Sequence, residues 1–447
     1  HLRNGQPEGP AEQEGVLFDA MGDSEFCKGL LEAIGRRRRF KRADGEVVAM
    51  ALPPFRKIRG SADELPPGAL KTERNGSSVV YGDRFFLKFF RKVEEGVNPE
   101  LEIEQFLSER AGFRHVPAIA GAVHYRRSWG HPMTLAVLEQ FVPNEGDAWR
   151  LTLDSLSGYF DRVLIGQVKL QDLPGVPRQF LQTACNEVPG PVQELIGPYL
   201  ETARLIGRRS AELHLALASA PDDPNFAPEP FTPLDLRSLY QTLRSRTLKA
   251  FDLMRKRLPD LKESLRVQAQ RVLDLEETLL RRLRTPLGRK VNAVKTRCHG
   301  NYHLGQLLNT GRDFVIVGFD GDATHPISDR RRKRLPLGDV ASMLRSFHYA
   351  SLIALKHGNI RTEDIPVLEP WGTFWQRWVA VAFWRSYREV AGSPPFLPSN
   401  EEDLAILLDF FLVRRILGEL PYELNNYPDR VHVPLQGILQ FLEAEGQ

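Results

Sequence analysis

The sequence predicts an α+β protein in which a strand-rich segment precedes a longer, largely helical one. Three stretches carry that expectation. Ser78 to Phe90 packs β-branched and aromatic residues on either side of a Gly82-Asp83 turn, which reads as a hairpin. Leu234 to Leu283 carries leucines at three- and four-residue steps, broken at Pro259, which reads as two long antiparallel helices. Between Arg297 and Asp322 a polar loop with His299, Asn301, His303 and Gln306 meets a turn at Asn309–Arg312. An apolar strand, Phe314 to Val317, and a small acidic cluster follow it.

Composition bounds the rest. A chain of 447 residues is long enough for two or three packed lobes. Its 60 Lys and Arg against 57 Asp and Glu leave +3, too balanced to argue for a nucleic-acid partner. Cys27, Cys185 and Cys298 are odd in number and far apart, so neither a disulfide framework nor a zinc site is expected, and a reducing, cytoplasmic setting is. No apolar run reaches the ~20 residues of a membrane span. The start, His1-Leu2-Arg3-Asn4, lacks Met and reads as the cut end of a longer polypeptide.

In chain order, residues 1–15 read as a polar linker and 16–70 as an N-terminal cap subdomain. Within the cap, Phe26–Ile34 is a helix, Arg36–Arg42 a solvated basic run, and Gly45–Met50 a strand. Residues 71–143 read as a small lobe. Glu73-Arg74-Asn75-Gly76-Ser77-Ser78 offers small residues whose backbone N–H groups suit phosphate. Lys88, among aromatics on the second hairpin strand, needs a charged partner. A helix follows, with Asn98 as N-cap and Pro99 at its first position. Glu102 on that helix is the expected partner, the alternative being a lysine that reaches solvent from an edge strand. Further strands run from Val116 to Phe141. Residues 144–447 read as a helical large lobe carrying the catalytic segment 297–322. In it His214 reads as a core histidine, Trp371, Trp375, Trp378 and Trp384 as core at helical spacing, with an aromatic sugar lining the alternative, and Asp339 as a helix cap that also braces the 297–306 loop.

The loop, strand and acidic cluster have the layout of a phosphotransfer site, in which one segment supplies a base and a metal ligand and the next an acidic metal ligand. His299-Gly300-Asn301-Tyr302-His303-Leu304-Gly305-Gln306 and Gly318-Phe319-Asp320-Gly321-Asp322 resemble the catalytic segment of the maltokinases, relatives of the aminoglycoside phosphotransferases. That family writes His-Gly-Asp-x-His-x-x-Gln and Asp-Phe-Glu-Gly-Glu. Asn98-Pro99-Glu100-Leu101-Glu102, Asn144-Glu145-Gly146-Asp147 and Tyr422-Glu423-Leu424-Asn425-Asn426 extend the likeness over roughly residues 15–440.

The resemblance implies a protein-kinase-like bilobal fold: N-terminal cap subdomain, β-rich small lobe and helical large lobe. It implies transfer of phosphate from ATP, with Mg2+, to maltose, giving maltose 1-phosphate. It also implies a trehalose synthase partner, in cis or in trans. Lys88, Glu102, Ser77, Ser78, Glu139 and Phe141 then serve the nucleotide, the last two at a hinge strand. Gln306, Asp320 and Asp322 serve the metal, Arg415 and Tyr422 the sugar, and Asn301, His299 and His303 stand at the catalytic position, Asn301 in place of the base. Two departures stand at the chemistry: Asn301 replaces the family's catalytic aspartate and Gly318 its metal-binding aspartate. Arg415 and Gly418 replace a lysine and a tyrosine on the sugar side. Two functions remain open on these residues, a slow maltokinase and a non-catalytic pseudokinase that scaffolds or regulates an attached trehalose synthase.

Overall fold

The computed structural model describes residues 2–3, 14–15, 18–61, 64–68, 70–72, 76–166, 168–176, 181, 187–358 and 360–443. The chain divides into two compact units. The first comprises His1–Arg110, Val116–Pro143 and Phe319–Arg331; the second comprises Ala111–His115, Asn144–Gly318 and Arg332–Gln447. Most of the expected linker and Cys185 lie outside the described residues.

Unit 1 is built on a seven-stranded antiparallel sheet: β1 (Arg39–Arg42), β2 (Gly45–Ala51), β3 (Lys71–Thr72), β4 (Gly76–Tyr81), β5 (Phe85–Phe90), β6 (Ile119–Arg127) and β7 (Met133–Gln140). Their spatial order is β1-β2-β6-β7-β5-β4-β3, so strands from the expected cap and small lobe share one sheet. The β4–β5 hairpin turns through Gly82 at φ 56°, a left-handed conformation that glycine adopts without Cβ strain. Side chains alternate across the sheet. Phe85 and Leu87 point to the face covered by α1 (Ser24–Gly35), where Ile34 and Phe55 complete a core. Phe90 and Val137 point to the other face, where Leu101 of α2 (Pro99–Gln105) packs. Helix α2 begins as expected, with Asn98 Oδ1 accepting from the N–H groups of Glu100 and Leu101.

Unit 2 is helical: α3 (Ala148–Ile165), α4 (Tyr199–Leu217), α5 (Pro233–Arg257), α6 (Glu263–Asp274), α7 (Glu276–Arg282), α8 (Leu337–His357), α9 (Ile365–Ala391), α10 (Glu401–Asn426) and α11 (His432–Glu443). The second of the two expected long helices is in fact two, α6 and α7, parted at Leu275, where ψ rises to 9°. The four tryptophans of α9 are all buried, which makes them core and not a sugar lining. A hairpin of β8 (Leu307–Asn309) and β9 (Phe314–Ile316) carries the centre of the 297–322 segment. Arg209 of α4 grips its turn through a bidentate pair with Asp313, at 2.8 and 2.7 Å. Among the described residues no helix is long and apolar enough to cross a membrane.

Candidate functional site

In unit 1 the candidate site is centred on Lys88. Strand β5 lies between β7 and β4, so the lysine is interior to the sheet and not on an edge. Its partner is Glu100: Nζ lies 2.9 and 2.8 Å from the two carboxylate oxygens. Glu102, the partner expected from the sequence, instead pairs with Arg331 at 3.0 and 2.6 Å. The reason is helical register. With Asn98 as N-cap, Glu100 faces the sheet, and a residue two places on is turned about 200° away. Asp320 stands 3.8 Å from the same ammonium. Burial works against the lysine's charge, but Glu100, Asp320 and Glu139 more than offset it and hold the group protonated.

Other expected nucleotide residues are placed differently. Ser77 and Ser78 belong to β4 and sit in ladders, Ser77 opposite Phe89 and Ser78 opposite Lys88. Both are buried, and the Ser77 hydroxyl donates to Asp19 at 3.2 Å. They form no open phosphate loop; Glu73, Arg74 and Asn75, the rest of that stretch, lie outside the described residues. The Phe141 N–H, expected at a hinge, donates to the Arg84 carbonyl at 2.8 Å. Glu139 is buried at 5% exposure on the α2 face of β7. Burial and the nearby Glu100 charge push its carboxyl up to about 8. Asp322, expected at the metal, accepts from the Thr324 N–H and hydroxyl at 3.0 and 2.6 Å, an arrangement that ties it to its own turn.

In unit 2 the 299–306 loop is held from beneath. Asp339, in the first turn of α8, accepts from the N–H groups of His299 and Gly300 at 2.8 and 3.0 Å. It does not cap α8, which starts at Leu337 with Pro336 before it. Burial alone would raise the Asp339 carboxyl; His214, His299 and the Gly300 N–H bring it below its usual range. His214 is wholly buried, 2.9 Å from the Tyr387 hydroxyl and 3.5 Å from Asp339. Ser210 and Tyr302 pair at 2.8 Å, and Ser346 accepts from the Leu304 N–H at 3.2 Å. The His299 Nε2–H donates to the Val317 carbonyl at 2.9 Å, which leaves Nδ1 as acceptor for the Asn301 N–H.

Three features decide what this loop can do. Asn301 Oδ1 lies 3.4 Å from the Arg415 guanidinium, and Glu419 positions Arg415 from 3.6 Å while accepting from Arg345. An amide beside a cation takes up no proton at neutral pH. His303 is held neutral: burial first, then the charges of Arg415 and His299, push it down to about 3. Gly318 adopts φ 79°, and a Cβ there would overlap Gln306 Oε1. The Gln306 amide thus fills the space that an acidic side chain at 318 would need. Tyr422, expected at the sugar, is exposed on α10 with its ring 5.9 Å from Tyr427.

Sequence reasoning missed Glu100 and Glu104. The signal was present, because a fixed N-cap at Asn98 puts positions i and i+4 on one helix face.

No protein-family model matches the chain. It is 23% identical over 290 residues to a glucosamine kinase of Mycolicibacterium smegmatis, covering 64% of this chain and 60% of that protein. It is 22% identical over 385 residues to a glucosamine kinase of Streptacidiphilus jiangxiensis, covering 84% and 73%. The chain thus spans about three fifths of the first of these relatives' length. Among solved structures, a glucosamine kinase superposes with a TM-score of 0.60 at 18% identity, over 94% of this chain and 81% of that one. A second, in complex with glucosamine, ADP and inorganic phosphate, gives the same TM-score over 94% and 83%. At such identity the likeness is one of fold, and the α+β, kinase-like fold class expected from the sequence is the one observed.

Proposed function

We propose that the chain is a sugar-kinase-type phosphotransferase module whose transfer step is attenuated. The observation that carries this reading is the Lys88–Glu100 pair, with Asp320 beside it. A sheet lysine held by a helix glutamate is the device by which kinase-like proteins meet nucleotide phosphates. The activity of the glucosamine kinase relatives and the maltokinase resemblance both point to a sugar hydroxyl as acceptor, glucosamine in the first case and maltose in the second.

ATP would supply the γ-phosphoryl group. Lys88 would hold its phosphates, kept charged by Glu100. The 299–306 loop, rigid on Asp339, would orient the acceptor hydroxyl through Asn301 and His303. Neither takes the acceptor proton: Asn301 is an amide, and His303 is a poor base, pushed down to about 3, with its Nδ1 already accepting from Gly305 N–H at 3.1 Å. Loss of a general base typically costs ~100- to 10,000-fold. Magnesium does not fit position 318, where Gln306 occupies the ligand's space and glycine offers no side-chain oxygen, so no step is routed through it there.

The Lys88–Glu100 pair is equally compatible with a second reading, a non-catalytic nucleotide-binding module, whose regulation of an attached trehalose synthase rests on the maltokinase resemblance alone. The two separate on a direct assay. Incubated with ATP and either glucosamine or maltose, the protein should form sugar phosphate slowly, followed by phosphorus NMR, and lose this with Lys88→Ala. ATP binding without any sugar phosphate over days supports the non-catalytic module; absence of ATP binding removes both readings.

A further inference from the structure

Behind Lys88, unit 1 carries more negative charge than the lysine can balance. Alternation along β7 puts Glu139 on the α2 face, and Glu100 and Glu104 meet it from successive turns of α2. One carboxylate oxygen from each of the three lies within 4.8 Å of the others. Asp320 adds a fourth carboxylate, 3.8 Å from Lys88. One ammonium therefore faces four acids. Glu104 is 0% exposed, and neither of its oxygens has a hydrogen-bond partner; one oxygen of Glu139 is in the same state. An ionised, buried and unpartnered carboxylate is among the least favourable groups a fold can hold.

We propose that Glu100, Glu104 and Glu139 form a binding site for a hard divalent cation of the magnesium, manganese or calcium class, occupied without nucleotide. All three donors are carboxylate oxygens, the chemistry such ions select. Bonds of about 2.0 to 2.6 Å set opposite ligands about 4 to 5 Å apart, the span seen here. The ion supplies what Glu104 lacks, a partner for an oxygen that no N–H or O–H reaches. Two protons, on Glu104 and Glu139, balance the charge equally well and supply O–H donors of their own. Burial and the surrounding carboxylates do raise both groups, so ion and protons compete for the same oxygens. Asp320 also lines a small recess with Phe90, Asn98 and Thr134.

The test uses the full chain, stripped with EDTA and dialysed, titrated with Mn2+ alone while free Mn2+ is read by electron paramagnetic resonance. One Mn2+ should bind per chain and raise the melting temperature. Glu104→Gln should weaken binding at least tenfold and abolish the thermal shift, and Glu139→Gln should do the same. Glu102→Gln, on the opposite helix face, should bind as the parent does. Glutamine matches glutamate in shape and mimics the protonated acid, so both variants should fold; if one does not, the other carries the comparison. A parent that binds no Mn2+ establishes the two-proton state and overturns the proposal. Equal affinity in parent and both Gln variants overturns it too, by placing the ion elsewhere.

Discussion

Placing an acid at position 318 is the sharpest perturbation of the unit 2 loop. Gly318 sits at φ 79°, and a Cβ built there overlaps Gln306 Oε1, with Gln306 Cδ at 2.8 Å and Nε2 at 3.3 Å. The left-handed backbone costs an L-residue ~1–2 kcal/mol, with aspartate at the lower end. Overpacking adds ~1–3 kcal/mol unless the obstructing group moves. Gln306 is a flexible side chain but is held 3.4 Å from His303, so its displacement is not free. Gly318→Asp should therefore destabilise unit 2 by about 2–4 kcal/mol. Urea unfolding followed by tryptophan fluorescence reads this unit, because Trp371, Trp375, Trp378 and Trp384 are buried in α9. The crowding component should vanish in Gly318→Asp/Gln306→Ala, measured against Gln306→Ala, leaving only the backbone component. A loss below ~0.5 kcal/mol, the scatter of neutral surface changes, would refute the clash. So would strict additivity of the two substitutions.

Three further outcomes follow from the same contacts. Glu100→Gln should weaken ATP binding, whereas Glu102→Gln, whose partner is Arg331, should leave it unchanged; isothermal titration calorimetry separates them. Asp339→Ala removes a carboxylate that accepts from two backbone N–H groups, and at ~1.5–3 kcal/mol per hydrogen bond to a charged group it should expose the His299 and Gly300 amides to faster hydrogen exchange. In EDTA, Glu139 should make stability fall with rising pH. Its folded value of about 8 exceeds the ordinary 4.5, so the folded state holds the extra proton between them. That contribution is complete below about 4.5 and is lost as pH rises through about 8; Glu139→Gln should flatten the slope of unfolding free energy against pH over this window.

What could be read from the sequence was what is decided locally. The β4–β5 hairpin, the Asn98 cap and the β8–β9 hairpin rest on turn and capping chemistry within a few residues. The Asn301 and Gly318 departures were also visible, since they are identities at a motif. Tertiary register decided the rest. Glu100 and Glu102 look equivalent in sequence, and only the packing of α2 on the sheet separates them. Ser77 and Ser78 read as loop residues because they are small, yet β3 and β5 claim both sides of their backbone. The break at Leu275 lacks the proline or glycine that would have marked it. Gly318's left-handed backbone and its contact with Gln306 depend on how the hairpin returns to the loop, which no local pattern records.

The central claim is that nucleotide binding survives where the transfer chemistry is attenuated, and calorimetric titration of ATP paired with a phosphorus NMR assay tests it most directly. The structure predicts ATP binding that Lys88→Ala abolishes and that magnesium changes little. It also predicts phosphoryl transfer to glucosamine or maltose far below ~1 per second, the low end for kinases. Turnover at or above that rate, or ATP affinity that collapses without magnesium, would contradict it.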